Sequence, residues 1–172
     1  MGWPSTSCDV QHPRMAFRVA QRHIERAADA EGDRVLLRHD GGLRVIDRTG
    51  AILTEAAPAA SAALWQGQLV RSTDTELLVG SRRLPLSASR VVAGGGRLIA
   101  LTTSGDLVEI VDNGALSSKP LSRTATRLLA VSATKVASVS GGWLTIAGLS
   151  TSDVQQSFVG DMTAAAFSAN AL

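Results

Sequence analysis

RLIALTTSGDLVEIVD (Arg97 to Asp112) is two short apolar runs joined at Ser104-Gly105, and Asp112-Asn113-Gly114 closes the second. Apolar runs bounded by Gly, Asn, Asp and Ser read as strands, and a two-residue joint between them reads as a hairpin. The stretch therefore predicts strand, turn, strand, turn. Both runs, LIAL and LVEIV, are apolar at neighbouring rather than alternate positions, which fits strands covered on both faces.

Copies of this unit lie on either side. VLLRHD (Val35 to Asp40) meets LRVID (Leu43 to Asp47) across Gly41-Gly42, and Arg48-Thr49-Gly50 turns into AILTE. QLVRST (Gln68 to Thr73) meets ELLVG (Glu76 to Gly80) across Asp74-Thr75. KVASVS (Lys135 to Ser140) meets WLTIAGL (Trp143 to Leu149) across Gly141-Gly142. Measured from Gly41, Asp74, Ser104 and Gly141, the turns are 33, 30 and 37 residues apart. Self-similarity at such a period signals a repeat architecture.

A preceding strand is predicted before the second, third and fourth hairpins (SAALWQ, SRVVAG, TRLLAVSA). A following strand is predicted after each (AILTE, RLPL, ALSSKP, VQQSF). The first strands are short and built of small apolar residues, whereas two of the last are plainly polar. A propeller blade requires that gradient, because its first strand lines a crowded axis and its fourth reaches solvent. Glu109 and Asp112 are an odd number of positions apart on one strand, so they face opposite sides.

These units resemble WD40-type β-propeller blades, with quinoprotein-like propellers as the second choice. SASRVVAGGGRLIALTTSGDLVEIVDNG reads as three strands and two turns, and FVGDMTAAAFSANAL resembles the junction between one blade and the next. Asp47 and Asp112 fall near the end of the third strand, where WD40 repeats carry a Trp-Asp pair; here Ile46 and Val111 replace the Trp. The resemblance covers roughly Arg34 to the end. It implies an all-β fold, a partial or small β-propeller of about four four-stranded blades, that binds partners through its top face and blade edges. The units are expected at about 33–60, 61–87, 88–120 and 121–160, with a first strand of a fifth at 162–169.

Ahead of the repeats, 1–12 reads as a polar leader and 13–32 as an amphipathic helix. Phe17, Ala20, Ile24, Ala27 and Ala28 recur at helical steps, Arg14, Arg18, Arg22 and Arg26 make a basic stripe beside them, and Gly32 suits the stop. Glu25, Asp29, Glu31 and Asp33 argue against a transit peptide or a membrane-surface helix, leaving docking on the domain itself or on a partner. The expected compartment is the cytoplasm, with a mitochondrion or other organelle as alternative. Gly2 and Thr6 fit the loose myristoylation pattern and Cys8 offers a second lipid site, but Trp3 and Pro4 are poor company for a lipid anchor.

The chain has 172 residues, enough for one domain with a real core. No apolar run approaches the roughly 18 residues of a membrane-spanning helix. Net charge is +2, carried by fifteen Arg and two Lys against 15 acids. With no Tyr, three Phe and three Trp, the core must be built from Ala, Val, Leu and Ile at close approach.

Catalytic groups do not stand out. His12, His23 and His39 lack metal-ligand spacing, and the single Cys8 rules out a multi-cysteine site. Gly94-Gly95-Gly96 leads into a strand, not a helix, so it reads as a turn and not as a phosphate cradle. No catalytic residue, metal or cofactor is therefore expected. The leading function is a non-catalytic protein-protein interaction scaffold, a subunit of a larger complex. Its candidate contact residues are Arg82, Arg83, Arg90, Arg18 and Arg22, with Trp65 and Trp143 as anchors where exposed. One alternative is a ribonucleoprotein component that binds RNA phosphates through Arg71, Arg82, Arg83, Arg90 and Arg97. The other is a cofactor-binding propeller enzyme of the quinoprotein type.

Overall fold

The glycine-bearing joints of the sequence become the hairpin turns of four separate sheets. The computed structural model describes residues 26–160 together with Met162 and Ala165. The first sheet is β1 (Arg26–Glu31), β2 (Arg34–His39), β3 (Gly42–Asp47) and β4 (Ile52–Ala56). The second is β5 (Ser61–Trp65), β6 (Gln68–Ser72), β7 (Leu77–Val79) and β8 (Arg82–Leu84). The third is β9 (Ala88–Gly94), β10 (Arg97–Thr102), β11 (Asp106–Asp112) and β12 (Leu116–Thr124), and the fourth is β13 (Arg127–Val131), β14 (Lys135–Ser140), β15 (Trp143–Gly148) and β16 (Val154–Phe158). Within each sheet the strands pair antiparallel in chain order, so every sheet is a four-stranded meander, here called a blade.

The double-sided apolar pattern of the opening stretch is explained by where its alternate residues go. Leu98 and Ala100 pack with Ala63, Val70, Leu77 and Val79 of blade 2. Ile99 and Leu101, on the other side of β10, pack with Leu128, Val131 and Val136 of blade 4. Blades 1 and 2 meet the same way, through Leu36, Leu43 and Val45 against Leu64 and Leu69. Each inner blade is thus the core of two interfaces, and each fully buried Leu or Ile contributes about 1.5–3 kcal/mol. The first strands are neighbours in turn, β1 beside β5, β5 beside β9 and β9 beside β13, and no comparable contact joins β13 to β1 among the described residues. The blades form an arc about a shared axis.

Close approach is enforced by glycine. A Cβ on Gly94 would lie 2.0 Å from the Val131 carbonyl oxygen, and one on Gly95 would lie 2.0 Å from the Ala133 nitrogen. The turn before β10 therefore touches the backbone of blade 4, and at φ +58° Gly95 also occupies a conformation that side chains resist.

Blades 2 and 3 are also joined electrostatically. Arg82 donates from both guanidinium nitrogens to Asp112, at 2.8 and 2.7 Å. The hydrogen bond from Arg82 holds the Asp112 carboxyl below the usual carboxylate range. Asp47, at the equivalent place in blade 1, accepts from the Thr49 hydroxyl and the amides of Thr49 and Ala51, capping its own turn. The two aspartates that align in the repeat have different jobs.

One expectation is corrected. The last residues of the predicted helix, Arg26–Glu31, are a strand, and Gly32 at φ +60° sits in the hairpin turn into β2 and not at a helix stop. The spacing of Ala27 and Ala28 suits either element. The open edge of β2 decides it, because the blade needs an inner strand and takes the chain immediately before it. Residues 13–25 of that helix lie outside the described residues, as do the 1–12 leader and most of the fifth-blade strand at 162–169. Met162 and Ala165 are described, and they pack on the far face of blade 4 against Leu129, Ala130, Ala137 and Val139.

Two tests follow from this packing. Leu98→Ala and Ile99→Ala each are expected to destabilise by about 2–5 kcal/mol, and Gly95→Ala by at least about 1–3 kcal/mol, read from urea unfolding. A Gly95→Ala chain as stable as the parent would refute the close approach. Because Asp112 titrates lower in the folded chain, its pairing adds stability above the ordinary Asp value of about 3.9. That contribution is lost as pH falls through the lowered value. Asp112→Asn is therefore expected to flatten the fall in Tm between about pH 5 and pH 2.5; an unchanged profile would assign the acid sensitivity elsewhere.

Candidate interaction surface

The inner strand that closes blade 1 is held by its acids. Asp29 accepts from the Leu64 amide at 2.7 Å, and Glu31 accepts from the amides of Gln66 and Gly67 at 2.9 and 2.6 Å. Gln66 and Gly67 both have positive φ, 51° and 70°, the backbone of a tight turn whose amides face outward to be capped. Arg34 completes the clasp by donating to the Gly67 carbonyl. The acids that argue against a membrane helix in the sequence are the links between blades 1 and 2. Burial pushes the Asp29 carboxyl up, against the opposing effect of the Leu64 and Ala30 amides.

Asp29 lines a cavity of about 340 Å³ beside the axis, with an apolar wall that includes Ala62, Val91, Ala93 and Leu129. Two other charges reach it, Arg38 and Arg90. Arg38 donates to the Ala59 carbonyl at 2.9 Å, and Arg90 is exposed on β9. The sequence suggested Arg90 as part of a rim patch; the fold turns it to the axis.

The arginines that cluster in the sequence are dispersed by strand alternation. Arg82 faces blade 3 and Asp112. Arg83, its neighbour on β8, points the other way and lies 3.3 Å from Glu76. Arg97 is bound by Glu109 and donates to the Ala133 carbonyl at 2.7 Å. Three of the five proposed phosphate contacts thus hold carboxylates, and the five do not share one face. Arg18 and Arg22 lie outside the described residues.

The two tryptophans separate cleanly. Trp65 is 3% exposed, belongs to the blade 2–3 core, and donates its indole N–H to the Gly96 carbonyl at 2.9 Å. It is a core residue, not a surface anchor. Trp143 is 49% exposed on the rim of blade 4, in edge-to-face contact with Phe158 at 5.5 Å between ring centres. His39 accepts from the Gly41 amide at 3.1 Å.

The largest apolar exposure besides this rim is at the other end of the arc. Ile52 and Leu53 on β4 are 53% and 46% exposed. Ile52 pairs with Ile46 of β3, and Ile46 with Val35 of β2, so the three share one side of blade 1. This is the side turned away from Leu36, Leu43 and Val45, which meet blade 2. Sequence reasoning did not identify this face or the Asp29 and Glu31 clasp, because both depend on which strand completes blade 1.

No protein-family model matches the sequence, and no curated protein matches it. Solved structures do. PorZ of Porphyromonas gingivalis, described as an essential bacterial surface component of the type-IX secretion system, superposes with a TM-score of 0.64 and 16% identity over 85% of this chain and 22% of PorZ. The WD40 domain of SCAP from fission yeast superposes with a TM-score of 0.53 and 15% identity over 74% of this chain and 42% of that one. The chain therefore spans about a fifth and two fifths of these two proteins, and at such identities the likeness is one of fold. Four four-stranded antiparallel blades with adjoining inner strands give this chain a β-propeller-like fold, which it shares with those two structures.

Proposed function

We propose that this chain is a non-catalytic interaction scaffold, a subunit of a larger complex, and that it binds another protein through the outward face of blade 1. The observation that carries the reading is the side formed by Val35, Ile46 and Ile52. In blades 2 and 3 rows of this kind are covered by the neighbouring sheets, and the far face of blade 4 has Met162 and Ala165 against it. Blade 1 offers the same kind of surface with Ile52 about half exposed. A partner sheet placed there would repeat the apolar contact that holds blades 1 and 2 together.

The polar groups near the axis support a binding role over a chemical one. Acid-base work needs titratable groups converging on a reactant. Asp29 is engaged by backbone amides and Arg38 by a backbone carbonyl, which leaves Arg90 as the remaining charged group of the lining.

The test is purification of the tagged chain from its native source, with the intact length of the chain recorded, beside an Ile46→Glu/Ile52→Glu variant. The expected result is a second protein in fixed ratio that the variant loses while keeping its β-sheet circular dichroism. A chain that purifies alone, a partner that the variant retains, or a longer chain that covers blade 1 with its own further blades would overturn the proposal.

A further inference from the structure

The outer strand of blade 3 breaks its register in a way that creates a second surface. Asp106 of β11 pairs with Thr124 of β12, and Val108 pairs with Pro120. Leu121, Ser122 and Arg123 are thereby opposed by Leu107 alone, a bulge that lifts them out of the ladder. Ser122 has φ 53°, a left-handed conformation unusual for a residue with a side chain. Backbone irregularity of this kind persists where surrounding structure enforces it, and here its product is the placement of Arg123.

Arg123 lines a groove of about 580 Å³ between the end of β12 and the face of blade 4. Its Nη1 is buried with no hydrogen-bond partner, so the guanidinium gains by turning into the groove to meet an acceptor, because a buried charged donor is costly to leave unpaired. The rest of the lining is complementary to an anion. Ser138, Ser140 and Thr145 contribute hydroxyls, and no Asp or Glu lines the groove. Trp143 and Val154 form the outer wall, and Val154 and Phe158 are 50% and 68% exposed. A cationic fork at the base and an aromatic and aliphatic shelf at the mouth are the two halves of a site for a charged side chain with an apolar neighbour.

We propose that this groove binds an extended acidic peptide segment of a partner protein, with an Asp or Glu carboxylate accepting from Arg123 and an adjacent apolar side chain seated on Trp143 and Phe158. Arg123 offers a planar pair of donors that matches a carboxylate, and the groove volume accommodates one such side chain together with its flanking backbone. The site is on the blade at the other end of the arc from Val35, Ile46 and Ile52. Loss of association through blade 1 and loss of peptide binding at Arg123 are therefore separable results.

The test is selection of a random dodecapeptide phage library on the 172-residue chain, followed by calorimetric titration of the strongest synthetic peptide. The expected consensus has Asp or Glu beside Leu, Ile or Phe. Arg123→Gln is expected to weaken binding at least about tenfold, as a lost charged contact does. Trp143→Phe, a change at an exposed residue that leaves the fold and the guanidinium in place, is expected to weaken it several-fold and keep the acid requirement. A selection without acidic enrichment, or a peptide held equally by both variants, would overturn the proposal. So would a phosphoserine peptide bound more tightly than its glutamate counterpart, since that would reassign the groove to phosphoryl groups.

Discussion

Everything in this chain depends on sheets being buried from both sides by other sheets. A meander of four short strands with little aromatic content has no interior of its own. Leu98 and Ile99, adjacent on one strand, cannot both be covered unless a blade lies on either side. Small side chains then become an advantage. They let backbones approach until a Cβ on Gly94 or Gly95 would overlap blade 4, and dense contact of that kind compensates for the missing rings.

That constraint makes the ends of the arc different from its middle. Blades 2 and 3 are covered on both faces, while on the outer face of blade 1 Ile46 is half-buried and Ile52 is exposed. Blade 4 has Met162 and Ala165 on its far face and carries the exposed pair of Trp143 and Phe158 on its rim. Among the described residues, exposed large apolar side chains are thus concentrated on blades 1 and 4. Polar links reinforce the interfaces without replacing the apolar contact, as in the Arg82–Asp112 pair and the Asp29 and Glu31 clasp. Arg123 is the exception, a charged group that the fold places in a groove and leaves unpaired.

Much of this was legible in the residues. Strand, turn and four-strand order could be read for every blade but the first, because glycine and Asx-type turns punctuate short apolar runs. The opposite facing of Glu109 and Asp112 followed from strand alternation, and the structure gives them different partners, Arg97 and Arg82. The inner strand of blade 1 was not legible. RAADAE carries alanines at helical and strand spacing alike, and only the open edge of β2 selects between them. The five arginines read as one patch along the chain, but a two-residue period sends Arg82 and Arg83 to opposite faces.

The sequence by itself determined the repeat, its period and the two-sided burial of its middle strands, because those follow from local turn chemistry and from which positions must leave water. Tertiary structure alone decided which surfaces remain. Whether Trp65 or Trp143 is exposed, whether Arg90 faces the rim or the axis, and where the bulge at Ser122 directs Arg123 all depend on the rotation of one blade against the next. That rotation is set by contacts between residues some thirty positions apart, and no local pattern encodes it.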